Sequence, residues 1–168
     1  MTKPLVVVES PTKVRTLKKY LGRQYNVAAT VGHIKDLPQK EMGIDVEDGF
    51  KPRYRNIPGK QRVIKTLRQA AGEAEDIYLA PDPDREGEAI AWHTSEILKK
   101  KGRTFYRVLF HELTKSGILA AMKSPEQLNS NKYDAQQARR ILDRLVGYQV
   151  SPLLWRKVKG GLSAGRVQ

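Results

Sequence analysis

Four carboxylates lie within seven residues of this chain, in the segment Asp82-Pro-Asp-Arg-Glu-Gly-Glu88. The segment follows a short apolar run at 77–80 and leads into a predicted helix that begins at about Glu86. In an extended chain Asp82, Asp84 and Glu86 would point to one face, because side chains alternate with a period of two. Clustered carboxylate oxygens are the ligands that Mg²⁺ prefers. The alternative is a solvated acidic turn, whose glutamates would favour the positive end of the helix.

A further acid, Glu9, directly follows the apolar run Leu5–Val8. A continuous run of this kind predicts a strand of a parallel sheet, buried on both faces. Ligand sites in such sheets lie outside the carboxyl ends of the strands, so Glu9 and Asp82 are expected to meet at one rim. Glu9 and the acidic segment together indicate a metal site more specifically than either of them does alone. The pattern predicts Asp82, Asp84 and Glu86 as metal ligands, with Glu9 at the same rim.

The elements that must position these acids alternate between strand and helix. After the first strand, Ser10 is a predicted cap and Pro11 the first residue of a helix that ends at Gly22. The remaining predictions are strands at 25–31, 77–80 and 105–110, and helices at 60–74, 86–100, 114–122 and 132–150. The alternation predicts an α/β fold with a parallel sheet covered by helices. Residues 37–59 lack periodicity and are expected to form an irregular insertion.

Composition limits the classes of function. The 168 residues carry a net charge of +13, which indicates a polyanionic partner, most simply nucleic acid. Between positions 132 and 168 the chain has eight basic residues and only two acidic ones. We expect Arg103 and Arg107 to be surface charges. The absence of cysteine and of any long apolar run predicts a cytoplasmic protein without a membrane span.

Other motif interpretations of the acidic segment and its surroundings fail. An EF-hand calcium loop that starts at Asp82 would need a glutamate at its twelfth position, where this chain has His93. Pro58-Gly-Lys-Gln61 lacks both the upstream glycine and the Ser/Thr of a phosphate-binding P-loop. The three histidines show no metal-ligand spacing.

Several segments together resemble the type IA DNA topoisomerases, in particular the bacterial topoisomerase I family. They are Leu-Val-Val-Val-Glu-Ser-Pro-Thr-Lys at 5–13, Thr-Val-Gly-His-Ile-Lys-Asp-Leu at 30–37, the acidic segment at 82–88 with Ala-Trp-His at 91–93, and Ser-Ala-Gly-Arg-Val-Gln at 163–168. The likeness extends from one end of the chain to the other.

The resemblance implies a fold and a division into domains. Residues 1–115 would form a Rossmann-like Toprim domain, with a four-stranded, mainly parallel sheet flanked by helices. Residues 116–168 would begin a helical domain that binds single-stranded DNA, and the 37–59 insertion would pack on it.

It also implies a reaction. Such enzymes relax negatively supercoiled DNA by cutting one strand with a tyrosine, passing a strand through the break and rejoining it, with Mg²⁺ and without ATP. Asp82 and Asp84, supported by Glu86, would hold Mg²⁺. Glu9 would be a metal ligand or the proton donor to the leaving 3′ oxygen, and Lys13 would neutralise charge on the phosphate. We expect a monomer that acts on single-stranded or underwound duplex DNA at the nucleoid.

DNA contacts follow from the matching segments. His33 should touch the strand, unless it is only a satisfied loop histidine. Tyr148 and Trp155 would stack on bases or, equally, pack in the core. The remaining predicted contacts are Arg139, Arg140, Asp143, Ser163, Ala164, Gly165, Arg166, Val167 and Gln168.

None of the seven tyrosines is followed by x-Arg-Thr, the context of the family's nucleophile. We therefore expect this chain to be an N-terminal part of a longer enzyme and to be inactive alone. The alternatives are another Toprim enzyme, such as a nuclease or primase, and a nucleic-acid-binding module with purely structural acids.

Overall fold

The structure, a computed structural model, describes residues 2–165. In chain order its elements are β1 (Leu5–Val8), α1 (Pro11–Leu21), β2 (Asn26–Ala29), β3 (Lys35–Asp36), β4 (Ile44–Asp45), β5 (Lys51–Pro52), β6 (Arg55–Asn56), α2 (Gln61–Ala71), β7 (Asp76–Leu79), α3 (Arg85–Leu98), β8 (Thr104–Arg107), α4 (Lys115–Lys123), α5 (Ser130–Gln149) and α6 (Ser151–Lys157).

The apolar run of β1 forms an inner strand of a four-stranded sheet. The strand order is β2-β1-β7-β8, and every neighbouring pair is parallel. All four residues of β1 are fully buried, as a strand covered on both faces requires. The predicted α/β fold is confirmed.

Side-chain alternation along β1 divides the core into two layers. Leu5 and Val7 pack with Leu67 of α2 and Ala91 of α3 on one face of the sheet. Val6 and Val8 pack with residues of α1 and α4 on the other. Each fully buried aliphatic side chain contributes about 1.5–3 kcal/mol, so the two layers hold the strand ends rigidly in place.

The start of α1 follows the local signals in the sequence. The Ser10 side chain accepts a hydrogen bond from the Lys13 backbone N–H at 3.3 Å, and Pro11 is the first helical residue. Gly22 ends the helix with a φ of 64°. These signals place Glu9 at the end of β1 and Lys13 one turn into α1.

The 37–59 segment is more regular than we expected. It contains β4, β5 and β6, and two small antiparallel sheets form: β4 pairs with β5, and β6 pairs with β3, which lies just before the segment. Each strand is only two residues long, which is too short to show the period of two by which strands are recognised in a sequence.

Two helices complete the described chain. The long helix α5 packs mainly on α3, and α6 follows it with Pro152 in its first turn. Across residues 2–165, no helix combines the length and apolar character needed to span a membrane.

Candidate active site and nucleic-acid interface

Glu9, Lys13 and Asp82 form a cluster at the carboxyl ends of β1 and β7. The Lys13 ammonium donates hydrogen bonds to the Glu9 carboxylate at 2.7 Å and to the Asp82 carboxylate. About a fifth of the Lys13 and Glu9 side chains is exposed, compared with half of Asp82. The cluster is therefore open to an incoming ligand from the Asp82 side.

The two carboxyl groups of this cluster have pKa values that are shifted in opposite directions. Burial and the hydrogen bond to Asp82 raise the pKa of Glu9, despite the opposing effect of Lys13. The hydrogen bonds from Glu9 and Lys13 lower the pKa of Asp82. Burial alone would lower the pKa of Lys13, but its bonds to the two carboxylates outweigh burial and raise it. Glu9, the acid of raised pKa, thus lies beside the Lys13 cation, an arrangement that suits proton transfer to a leaving oxygen.

The other acids of the 82–88 segment face different surroundings. Asp84 is the N-cap of α3, and its carboxylate accepts a hydrogen bond from the Gly87 N–H at 2.7 Å. Glu86 lies in the first turn of α3, 3.1 Å from His33 Nε2 and 3.3 Å from Gln136 Nε2. The expected common face of Asp82, Asp84 and Glu86 does not form, because the extended backbone ends where the helix begins at Arg85.

The donor chemistry of this rim fits Mg²⁺, whereas a complete protein cage does not form. Glu9 and Asp82 are hard anionic ligands that already share a cation, the Lys13 ammonium. Among the described residues, however, no three acidic, histidine or cysteine side chains come together as a metal site. Mg²⁺ is usually bound by one or two carboxylates, with substrate phosphates and water as the remaining ligands. The rim meets that requirement.

Glu88, the last acid of the segment, is buried against Arg107. Both side chains are 1% exposed, and Arg107 Nε donates to Glu88 Oε2 at 2.8 Å. Arg107 also donates to the carbonyls of Leu79, Pro81 and Asp82. The expectation that Arg107 is a surface charge is wrong. It fixes the backbone that carries Asp82.

Arg103 is not a free surface charge either. It donates to the carbonyls of Gly72, Ala74 and Leu98 at 2.7–2.9 Å, and so joins the ends of α2 and α3. The sequence signal for Arg107 was its position in an otherwise apolar strand environment, between Phe105 and Val108. For Arg103 we find no comparable signal.

His33 belongs to a loop tied to the acidic rim. Its Nε2 lies 3.1 Å from Glu86, and Gly32 N–H donates to the Glu9 carbonyl at 3.2 Å. Val31, just before them, has a φ of 55° and leaves 48% of its side chain exposed. The loop therefore presents an imidazole and an apolar side chain beside the cluster.

The predicted DNA contacts on α5 differ in whether other residues of the chain already hold them. Arg140 is held by Asp36 through two hydrogen bonds of 2.9 and 3.0 Å. Asp143 is half-buried on the same helix, and its charge adds to that of Asp36 in raising the pKa of Arg140. Arg139 is exposed and has no ion pair within the described part of the chain. Arg139 is thus the arginine open to a phosphate.

Both aromatic candidates are exposed, so neither packs in the core. Tyr148 is 40% and Trp155 is 51% exposed. The Tyr148 hydroxyl donates to the Gln39 carbonyl at 3.2 Å, and Trp155 Nε1 donates to the Leu162 carbonyl. The Arg144 guanidinium also lies over the Tyr148 ring, 5.3 Å from its centroid. Both rings are thus held by contacts within the chain and remain partly open to solvent.

The glycine-rich segment after α6 is partly described. Ser163 and Gly165 are exposed, and the Ala164 N–H donates to Ser151 Oγ at 3.1 Å. The predicted contacts Arg166, Val167 and Gln168 lie outside the described residues.

Comparisons with known proteins agree with this arrangement. Residues 4–113 match the family model of the Toprim domain, and residues 127–168 match that of DNA topoisomerase. The structure of full-length topoisomerase I from Thermotoga maritima, in a monoclinic crystal form, is 48% identical with a TM-score of 0.86. The match covers 96% of this chain and 28% of that chain. This chain therefore belongs to the Toprim-domain family, in the branch of the bacterial type IA topoisomerases.

Proposed function

We propose that the chain supplies the acid–base and DNA-holding part of a topoisomerase that relaxes negatively supercoiled DNA. Relaxation would proceed by transient cleavage of one strand, strand passage and rejoining, without ATP. The observation that carries the proposal is the Glu9–Lys13–Asp82 cluster at the carboxyl ends of two adjacent parallel strands. An acid with a raised pKa beside an ammonium group supports a role at a phosphodiester.

In the cleavage step a tyrosine oxygen would form a bond to phosphorus while the bond to the 3′ oxygen breaks. Glu9 would give its proton to that leaving oxygen, and the raised pKa of Glu9 supports this role. Lys13 would neutralise charge on the phosphate. Since none of the seven tyrosines has the x-Arg-Thr context, the nucleophile would come from outside these 168 residues, and this chain alone would be inactive.

Mg²⁺ would be held by Asp82 and Asp84, with Glu9 and Glu86 as further candidate ligands. When bound, it would supply positive charge that orients and polarises a phosphate oxygen. For Asp84 the more available ligand atom would be Oδ2, since Oδ1 accepts the cap hydrogen bond from Gly87.

The DNA would be single-stranded or underwound. We propose that it runs from the His33 loop along α5, where Arg139 is open to phosphate and Tyr148 is exposed, to the exposed Trp155 on α6. Stacking on such rings is typical of single-strand binding. The protein would act as a monomer, in the cytoplasm at the nucleoid.

The metal assignment is tested by titrating Mg²⁺ into the chain with a single-stranded oligonucleotide present. Asp82→Asn removes one carboxylate, and Asp84→Ser removes the other while keeping an N-cap. Each should weaken Mg²⁺ binding at least tenfold, whereas Asp134→Asn on the exposed face of α5 should not. Unchanged Mg²⁺ affinity in both variants would contradict the assignment of Asp82 and Asp84 as metal ligands.

The cleavage role is tested by joining the chain to the segment that carries the family's tyrosine, taken from a homologous topoisomerase. We expect covalent DNA attachment and relaxation of supercoiled plasmid by the joined protein, and neither by the 168-residue chain. Glu9→Gln should abolish both activities. Plasmid relaxation by the chain alone would contradict the proposal.

A further inference from the structure

A groove lies along the outer face of α2, remote in sequence from the acidic rim. Its volume is about 420 Å³, and it is lined by Asn56, Gln61, Ile64, Lys65, Arg68 and Gln69. Apart from Ile64, which is buried at its floor, every lining side chain is exposed and polar. The groove therefore presents cations and amides to solvent.

The charge in this groove is not neutralised by the protein. Lys65 and Arg68 lie three residues apart, so they share a face of the helix. Neither forms an ion pair within residues 2–165, and α2 contains no acid. Like charges at this spacing cost stability by themselves. Two cations with three amide side chains around them are the donor set that a phosphodiester backbone takes.

The groove is connected to the loop that carries His33. Asn56, at its edge, is the register partner of Lys35 in β3, two residues after His33. Lys60, directly before α2, donates a hydrogen bond to the Val31 carbonyl. Ile57 N–H also donates to the Ile34 carbonyl at 2.9 Å. A DNA segment that leaves the rim at His33 would meet this face next.

We propose that the α2 groove holds the phosphodiester backbone of DNA that flanks the strand engaged at the acidic rim. This rests on the proposed function and adds a second anchoring surface to it. From Gln61 to Gln69 the helix extends about 12 Å, enough for Lys65 and Arg68 to contact about two phosphates. The expected contribution is electrostatic and independent of sequence.

The test compares Lys65→Ala/Arg68→Ala with a control that removes the same charge elsewhere. Lys99→Ala/Lys101→Ala is suitable, since both lysines are exposed and neither forms an ion pair within the described residues. Fluorescence anisotropy would measure the Kd for a short single-stranded oligonucleotide, and for the same oligonucleotide extended by either a single-stranded or a duplex arm.

On extended DNA the groove variant should bind about tenfold more weakly, and its slope of log Kd against log salt should fall by about 1.4 to 1.8. The short oligonucleotide should bind as before. Loss on the duplex arm only, or on the single-stranded arm only, assigns the groove to that form of DNA, and both results support it.

Two outcomes would overturn the proposal. If the unaltered chain binds short DNA but the groove variant matches the control on both extended substrates, the groove proposal alone fails. If the unaltered chain binds no oligonucleotide, the proposed function fails and the groove proposal fails with it.

Discussion

At the scale of single residues, the acids of the 82–88 segment have separate tasks. Asp82 joins Glu9 and Lys13, Asp84 caps α3, and Glu86 contacts His33 and Gln136. Glu88 pairs with Arg107 and also accepts the Asn129 N–H at 2.6 Å. Mutual repulsion is relieved because each carboxylate has its own donors. One acidic motif therefore places its four carboxylates in four different settings.

The buried pair predicts a large loss of stability when one partner is removed. Arg107→Met would leave the Glu88 carboxylate buried without its cation, and would remove the arginine donor from the loop carbonyls of Pro81 and Asp82. We expect the free energy of unfolding, measured with urea, to fall by about 3–5 kcal/mol. Arg62→Met, an exposed arginine on α2, should change it by less than about 0.5 kcal/mol. A loss below about 1 kcal/mol in Arg107→Met would contradict this account.

Local signals explain which residues could be predicted from sequence. Ser10 and Gly22 act through their own backbone neighbours, and Glu9 and Asp82 follow directly from where two strands end. Arg107 could not be placed in the same way. Its partner Glu88 is nineteen residues away, and whether a charge is buried depends on the packing of both elements. Asp36 and Arg140, 104 residues apart, were beyond sequence reasoning for the same reason.

At the scale of elements, the acidic loop is pressed against the first turn of α3. A Cβ atom added to Gly87 would lie 1.8 Å from the Asp82 carbonyl oxygen. Gly87 is therefore required for a close approach of backbone to backbone, in a helix where alanine would otherwise be favoured. The position of Asp82 depends on this contact.

Gly87→Ala should lower the free energy of unfolding by about 1–3 kcal/mol, because the overlap outweighs alanine's helix preference. Under the proposed function it should also weaken Mg²⁺ and DNA binding, since Asp82 must shift. Gly147→Ala on α5 is the matched control, because nothing lies within 4 Å of its added Cβ. That control should gain about 0.5–1 kcal/mol. Calorimetric melting of both variants measures whether each substitution raises or lowers stability. Equal changes in the two variants would contradict a steric clash at Gly87.

The 36–42 segment is joined to α5 by several hydrogen bonds. Arg140 binds Asp36, and Arg144 donates to the carbonyls of Pro38, Glu41 and Met42. Burial raises the pKa of Asp36, but the bonds from Arg140 and Leu37 outweigh burial and lower it below the ordinary 3.8. A lowered acid pKa stabilises the fold above about pH 3.8, and this stability is lost as the pH falls through the folded value.

Asp36→Asn should therefore cost about 1 kcal/mol at neutral pH, a value reduced because both partners are about one-third exposed. Below pH 3.8 the gap between this variant and the unaltered chain should close. Urea unfolding at several pH values would measure both parts. Asp134→Asn, on the exposed face of α5, should show no such convergence, and a constant gap in Asp36→Asn would disprove the linkage.

At the scale of the whole molecule, α3 and α5 meet around a buried histidine. His93 is 2% exposed, lies 3.2 Å from the Tyr133 hydroxyl, and contacts the Tyr54 ring at a centroid distance of 4.7 Å. Trp92 stacks on Tyr133 at 4.6 Å. This junction brings together α3, the insertion and the long helix α5, so the position of α5 and of its candidate DNA contacts depends on it.

Burial lowers the pKa of His93 to about 4, from an ordinary value of 6.5. The unfolded chain therefore binds a proton that the folded chain excludes, and stability falls as the pH drops from about 6.5 to about 4. The shift corresponds to about 3 kcal/mol over that range. This pH range lies above the range in which Asp36 is protonated. As the pH falls, the junction between α3 and α5 should therefore be destabilised before the Asp36–Arg140 pair is lost.

His93→Gln keeps a hydrogen-bonding side chain beside Tyr133 but cannot be protonated. Its free energy of unfolding should be nearly flat between about pH 6.5 and pH 4, whereas the unaltered chain loses about 3 kcal/mol. His111→Gln, an exposed histidine, should follow the unaltered chain. Urea unfolding followed by tryptophan fluorescence reports on the junction through Trp92. Parallel pH curves for His93→Gln and the unaltered chain would show that His93 is not the group that governs acid stability.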